Sequence, residues 1–262
     1  AVPDGTLLRD ASTILSESRV EENKNQPGTY ANFADLFRYS LLRKKETVWV
    51  DTDIYALKPF RSRHRVVMGF EGLGRVNNAV LGYPSDSPLA HFLLAECERL
   101  IGTDFRWGEL GPRLVTRGVA KFNIWKMVQP QATFYPIPWR EIWRVFDPQE
   151  TDKLKKRLGS AATVHLWNEV LRTSGAQVKE KRPRGGTLAE LMLVSAGSGS
   201  DLPSSKTGFD MEAWNLWRHQ LRPKNRHQDL QSRLLQEIQR APSSMLGPLH
   251  RAAYWSKNNL RP

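Results

Sequence analysis

Asp51 and Asp53 stand one residue apart at the end of the apolar run Val48-Trp49-Val50. Two carboxylates at the exit of a strand suit a hard divalent cation. Mg²⁺ and Mn²⁺ favour carboxylate oxygens and keep waters and phosphate oxygens as their other ligands. The chemistry open to such a pair is to bridge a cation to a diphosphate. Asp-x-Asp alone is weakly specific, because it also occurs in many surface turns. A second pair lies upstream: Asp35 and Arg38 are three residues apart and would share one face of a helix. Arg38 could pair with a phosphate or a carboxylate, and Asp35 could accept hydrogen bonds from sugar hydroxyls. With no ligand, the two would form an intrahelical ion pair contributing a few tenths of a kcal/mol.

The elements that must position these groups follow from hydrophobic periodicity. Phe33, Leu36, Phe37, Leu41 and Leu42 recur at helical spacing and predict a helix from about Tyr30 to Arg43. Val48–Val50 reads as a strand. So do Val66–Phe70, Asn78–Tyr83, Thr133–Pro136 and Ala162–Leu166, and Val2–Ile14 reads as a strand, a turn and a second apolar piece. Ser87-Pro88 opens a helix to about Ile101, with Ser at the N-cap and Pro in the first turn. Alternating helix and strand predict an α/β fold with a mainly parallel or mixed sheet. Residues 1–175 read as the core and 176–208 as a Gly/Ser/Pro-rich linker. Gly197–Ser200 and Pro203–Ser205 look mobile in it. Residues 209–262 read as a basic helical extension, with one stripe at Phe209, Ala213, Trp214, Trp217 and Leu221 and another at Leu230, Leu234, Leu235 and Ile238.

Composition limits the alternatives. The chain has 262 residues, 40% of them hydrophobic and 25% charged, which suits a globular domain with an appendage. No apolar run nears the roughly 20 residues of a membrane span, and no signal peptide is visible at the start. The single cysteine, Cys97, lies in an amphipathic helix pattern and reads as a buried structural thiol. The net charge is +12, of which residues 171–262 hold +8. That surface could meet an anionic membrane or an anionic substrate. Nine tryptophans and a basic balance also raise nucleic acid as a partner. However, Trp214 and Trp217 sit on an apolar stripe suited to a core, and no base-reading motif is present. The expectation is therefore no nucleic acid.

Several segments taken in order resemble one known family. Asn32–Leu42, then Val48-Trp49-Val50-Asp51-Thr52-Asp53, then Leu57-Lys58-Pro59-Phe60 look like the DXD sugar-binding region of the family 32 glycosyltransferases. That family includes bacterial capsular and lipopolysaccharide sugar transferases and eukaryotic α-1,4-galactosyl- and α-1,4-N-acetylglucosaminyltransferases. Asn77-Asn78-Ala79-Val80-Leu81, Gly111-Pro112-Arg113-Leu114-Val115-Thr116, Phe134-Tyr135-Pro136 and Val164-His165-Leu166-Trp167-Asn168 resemble its later elements, so the likeness covers roughly residues 1–190. It implies a GT-A fold, a Rossmann-type mixed sheet flanked by helices. It also implies a retaining, Mn²⁺- or Mg²⁺-dependent transfer from a nucleotide sugar, a UDP-sugar as first choice, to a saccharide or glycolipid. By resemblance, Asp51 and Asp53 lie at the metal, the diphosphate and the donor sugar, and His165 is a late metal or diphosphate ligand. Asp35, Arg38, Asn77 and Asn78 line the donor site, and Glu109 is an acceptor-side candidate. The implied location is the bacterial cytoplasm or inner membrane face, preferred here, or the Golgi lumen for a eukaryotic chain.

Two departures stand out. Glu46-Thr47 occupy the positions where the family has Gly-Gly before the DXD strand, and the chain begins after the family's first strand and helix. These features favour a rival, a transferase-like module that binds glycans or nucleotides without turnover. A phosphohydrolase with Asp51 as nucleophile is a further alternative, but its other expected groups do not appear in order.

Overall fold

The computed structural model describes residues 5–19, 29–58, 65–72, 74–101, 103, 108–176, 182–197 and 209–220. Among the described residues the strands are β1 (Val48–Val50), β2 (Ile54–Ala56), β3 (Val67–Gly72), β4 (Arg75–Gly82) and β5 (Thr163–His165). The α-helices are α1 (Thr29–Lys44), α2 (Pro88–Leu100), α3 (Pro112–Lys121), α4 (Gln131–Phe134), α5 (Thr151–Leu158), α6 (Asn168–Ser174), α7 (Leu188–Ser195) and α8 (Met211–Gln220). The fold is mixed α/β with small sheets. Two compact units form, one from residues 1–52 and 60–131, the other from residues 53–59 and 132–262.

In the first unit the sheet order is β1-β4-β3. β4 is central, and every residue from Val76 to Gly82 is buried, as a strand covered on both faces requires. β1 pairs with it antiparallel, Trp49 opposite Leu81 and Val50 opposite Val80. α1 buries Leu36, Tyr39 and Leu42, spaced by three, against the same core as Met68, Leu81, Leu93 and Leu114. Each such leucine contributes about 2–3 kcal/mol relative to exposure. The N-cap of α2 is as expected: Ser87 Oγ accepts from the Ala90 N–H at 3.2 Å. Gly118 lets α3 close on α2, since a Cβ there would sit 2.6 Å from Leu89 Cδ1. Cys97 is a fully buried free thiol, and burial pushes its pKa up.

In the second unit β2 pairs antiparallel with β5, placing Ile54 opposite His165. Phe134, Tyr135, Ile137, Ile142, Val145, Leu154, Val164 and Trp214 are buried in this unit. Trp214 is fully buried and meets Phe209 and Trp217, with ring centroids at 5.7 and 5.2 Å. Trp214 of the first stripe is therefore a core residue, whereas Leu221 lies outside the described residues. The second stripe, at Leu230–Ile238, lies outside the described residues, as do Val2, Ser198–Ser200 and Pro203–Ser205.

Two expectations from periodicity are corrected. The ladders are antiparallel, and the parallel pairing seen among the described residues is the single bridge Gly69–Gln129. β3 and β4 are joined by too few residues for a parallel crossover. Gln131–Phe134 is a helical turn rather than a strand; Phe134 and Tyr135 are apolar because they are buried, not because they are extended. Ala11–Thr13 is a 3₁₀ turn, capped by Asp10, whose carboxylate accepts from the Ser12 N–H at 2.9 Å. Within the Gly/Ser/Pro-rich stretch, Leu188–Ser195 forms α7, capped by Thr187.

Candidate functional site

The first unit gathers Asp35, Arg38, Trp49, Asp51 and Asn78. Helical spacing brings Arg38 Nη1 to Asp35 Oδ1 at 2.8 Å, the intrahelical pair read from the sequence. The other arm of the same guanidinium reaches Asp51 Oδ1 at 2.6 Å. Arg38 is thus a buried fork that links α1 to the end of β1, a role suited to a planar guanidinium. Trp49 Nε1 also donates to Asp51 Oδ1, at 2.5 Å, and the Trp49 ring lies 5.0 Å from the guanidinium carbon. Both bonds to Asp51 land on one oxygen, so Oδ2 has no hydrogen-bond partner among the described residues. The backbone of Asp51 is fixed to β4 by its N–H, which donates to the Ala79 carbonyl at 2.8 Å.

Asn78, on β4, donates to Asp35 Oδ1 at 2.7 Å. Burial raises the Asp35 pKa, and the nearby negative charge of Asp51 adds to that. Arg38 and the Asn78 hydrogen bond oppose the rise without cancelling it, and the carboxyl ends up at about 6. Gly111 closes the group: a Cβ at this position would lie 3.2 Å from both Asp35 Oδ2 and Asn78 Nδ2. The Gly of Gly111-Pro112 is therefore a close-approach residue at the start of α3.

The pleat separates Asn77 from Asn78, since successive side chains point to opposite faces. Asn77 donates to Glu71 Oε2 at 2.5 Å and accepts from the Ala79 N–H at 2.7 Å, so it braces the β3–β4 hairpin. Glu109 is engaged by Arg117 and lies 4.0 Å from Arg113. The structure brings neither Asn77 nor Glu109 into hydrogen-bond contact with Asp35, Arg38 or Asp51.

In the second unit the segment His165-Leu166-Trp167-Asn168 wraps around Asp53. Leu166 N–H donates to the Asp53 carbonyl at 2.9 Å, and Asn168 N–H donates to Asp53 Oδ2 at 3.0 Å. His165 Nε2 lies 3.2 Å from the same oxygen. Burial pushes the Asp53 carboxyl up, but the hydrogen bond and charge of His165 and the Asn168 N–H outweigh it, and the pKa falls below the ordinary value. His165 is buried. Its ring stacks on Trp167, with centroids 3.9 Å apart, and its Nδ1 has no hydrogen-bond partner among the described residues.

Thr52 alone separates Asp51 from Asp53, so covalent geometry keeps their Cα atoms within about 7 Å. The Asp53–His165 pair also fits a hard cation. Adjacent ligands on an octahedral ion with bonds of about 2.1 Å stand about 3 Å apart, close to the 3.2 Å observed.

Sequence reading missed Trp49 and Trp167. Trp49 sits two residues before Asp51 and shares its face by strand alternation, a signal that was available. The contact of Trp167 depends on its left-handed backbone, φ 52°, and no spacing rule indicates that.

Comparison with known proteins bears on this arrangement. Residues 86–189 match the family described as "Alpha 1,4-glycosyltransferase conserved region". Lactosylceramide 4-alpha-galactosyltransferase of Pongo pygmaeus is 28% identical over 150 residues, covering 52% of this chain and 66% of that protein. The Homo sapiens enzyme of the same name is 28% identical over 150 residues, covering 52% of this chain and 41% of that one. That of Rattus norvegicus is 27% identical over 162 residues, with 56% and 44% covered.

The chain is a relative of the family 32 α-1,4-glycosyltransferases.

That likeness supports an enzyme. The matched stretch of this glycosyltransferase relative holds Gly111-Pro112, Phe134-Tyr135-Pro136 and His165–Asn168, and it begins downstream of Asp51-Thr52-Asp53. The chain spans less than two thirds of the length of these curated relatives. No solved structure matches it. The relatives named are mammalian, so they lend no support to the expected bacterial setting. Among the described residues no helix is long and apolar enough to cross a membrane.

Proposed function

We propose that the chain is a retaining, metal-dependent glycosyltransferase of GT-A architecture. It moves a sugar from a nucleotide-sugar donor, a UDP-sugar, to a saccharide or glycolipid acceptor. The observation that carries this reading is the Asp53 carboxylate, kept ionised against burial by His165 and the Asn168 N–H inside the stretch shared with the family. The names of the relatives narrow the proposal to a galactosyl donor and a lactosylceramide-like acceptor. Their mammalian sources favour the Golgi lumen as its compartment.

Asp51, Asp53 and His165 have the residue types that could hold the metal ion. Mg²⁺ or Mn²⁺, when bound, would neutralise charge growing on the leaving diphosphate. Arg38 adds a fixed positive charge beside Asp51, and Asp35, itself bonded by Asn78, holds that guanidinium in place. Such preorganised groups stabilise developing charge without reorganising during the reaction. In the transfer, the bond from the anomeric carbon to the diphosphate oxygen breaks and a bond to the acceptor oxygen forms on the same face. The acceptor proton passes to the departing phosphate oxygen.

The test is UDP release from UDP-galactose with lactosylceramide and Mn²⁺, with the product identified by mass spectrometry. The proposal expects Mn²⁺-dependent turnover abolished by EDTA. Binding of UDP with Mn²⁺ by calorimetry, with no turnover, would replace it with the binding-module reading, which Glu46-Thr47 ahead of β1 favours.

A further inference from the structure

A metal-ligating imidazole normally has its orientation fixed by its second nitrogen, which donates to a carboxylate or a carbonyl. His165 lacks that device. Nε2 faces Asp53 Oδ2 at 3.2 Å, and the buried Nδ1 has no partner among the described residues. Something else must set the plane of the ring.

The candidate is Trp167. Its indole stacks on the imidazole, with centroids 3.9 Å apart and planes 28° from parallel. The indole is itself anchored, because Trp167 Nε1 donates to the Ile137 carbonyl at 2.9 Å. Tyr135, fully buried, tilts against both rings at 5.9 and 6.2 Å. The backbone of Trp167 contributes as well. It adopts φ 52°, ψ 46°, a left-handed conformation that costs any residue other than Gly and persists only where the surroundings enforce it. That turn presents the next N–H, Asn168, to Asp53 Oδ2 at 3.0 Å.

We infer that Trp167 is a positioning residue for the Asp53–His165 pair: its ring holds the imidazole plane in place of a hydrogen bond to Nδ1, and its left-handed turn delivers the Asn168 N–H to the carboxylate. This rests on the metal reading above, and the test keeps the two apart. Trp167→Phe keeps an aromatic face but loses the bond to Ile137. Trp167→Leu keeps apolar volume but presents no ring plane. His165→Ala removes the ligand itself. Mn²⁺ in the presence of UDP is the probe, its free concentration counted by electron paramagnetic resonance. Circular dichroism and Tm are measured on each variant.

The expected result is that Trp167→Phe binds within about threefold of the unmodified chain. Trp167→Leu, with its circular dichroism spectrum retained, should bind about 10–100-fold more weakly, the loss typical of supporting-residue changes. His165→Ala should bind at least as weakly as Trp167→Leu. Equal binding by Trp167→Leu and the unmodified chain, with His165→Ala weak, would overturn the positioning role and leave the metal reading intact. Equal binding by His165→Ala and the unmodified chain, or no binding by the unmodified chain, would overturn both. If Trp167→Leu loses its fold, Trp167→Phe decides: the proposal fails if the folded Phe variant binds as weakly as His165→Ala.

Discussion

Replacing Asp35 by Asn should change how stability depends on pH, in a direction set by the burial of its carboxyl. Burial is the main cause of the raised Asp35 pKa, which moves from 3.8 to about 6. The folded state therefore holds its proton more tightly than the unfolded chain does. Stability from this group is fully present below about pH 4, is lost between pH 4 and 6, and is absent above. At 1.36 kcal/mol per tenfold change in proton affinity the whole effect is about 3 kcal/mol. About 1.4 kcal/mol of it falls between pH 5 and pH 8. Asn is nearly isosteric, its carbonyl still accepts from Arg38 Nη1, and it does not titrate. Urea denaturation at pH 5, 6, 7 and 8 should show the unmodified chain losing about 1.4 kcal/mol more than Asp35→Asn across that range. Parallel pH profiles, or an unmodified chain that gains on the variant as pH rises, would refute the assignment of a buried, proton-retaining carboxyl.

Two further substitutions test the surroundings. Arg38→Ala would leave Asp35 and Asp51 without their shared cation. Stability in urea should fall by about 3–5 kcal/mol, as for a buried pair losing one partner, and Arg38→Lys should recover less than half, because one ammonium cannot reproduce both arms of the fork. Gly118→Ala would drive a Cβ to 2.6 Å from Leu89 Cδ1. Overpacking of about 1–3 kcal/mol should outweigh a helix-propensity gain of up to about 1 kcal/mol, so Tm should fall; a raised Tm would show that α2 and α3 have room between them.

The parts of the fold that were legible rested on local signals. α1 and α2 follow from helical spacing, Ser87 marks the start of α2, and β1 is an apolar run ended by Asp51. Strand direction was not legible. Alternating elements suggest parallel pairing, but β3 and β4 meet as a hairpin. Short apolar runs carry no period of their own, which is why Thr133–Pro136 reads as extended from sequence although Phe134 ends a helical turn. In the site, the Asp35–Arg38 pair follows from three-residue spacing. The links from Arg38 to Asp51 and from Asn78 to Asp35 join residues 13 and 43 positions apart, and only the assembled unit creates them. The pleat alone separates the roles of Asn77 and Asn78. The ion partners of Glu109 at Arg113 and Arg117 stand four and eight residues on, a helical repeat that the sequence displays.

The central proposal is metal-assisted sugar transfer at Asp53. Its most direct measurement is UDP release by the unmodified chain and by Asp53→Ala, with UDP-galactose, lactosylceramide and Mn²⁺. The account predicts turnover in the first and a loss of at least about 100-fold in the second, of the order seen when one electrostatic group is removed from a transition-state site. Equal rates in the two proteins would contradict it.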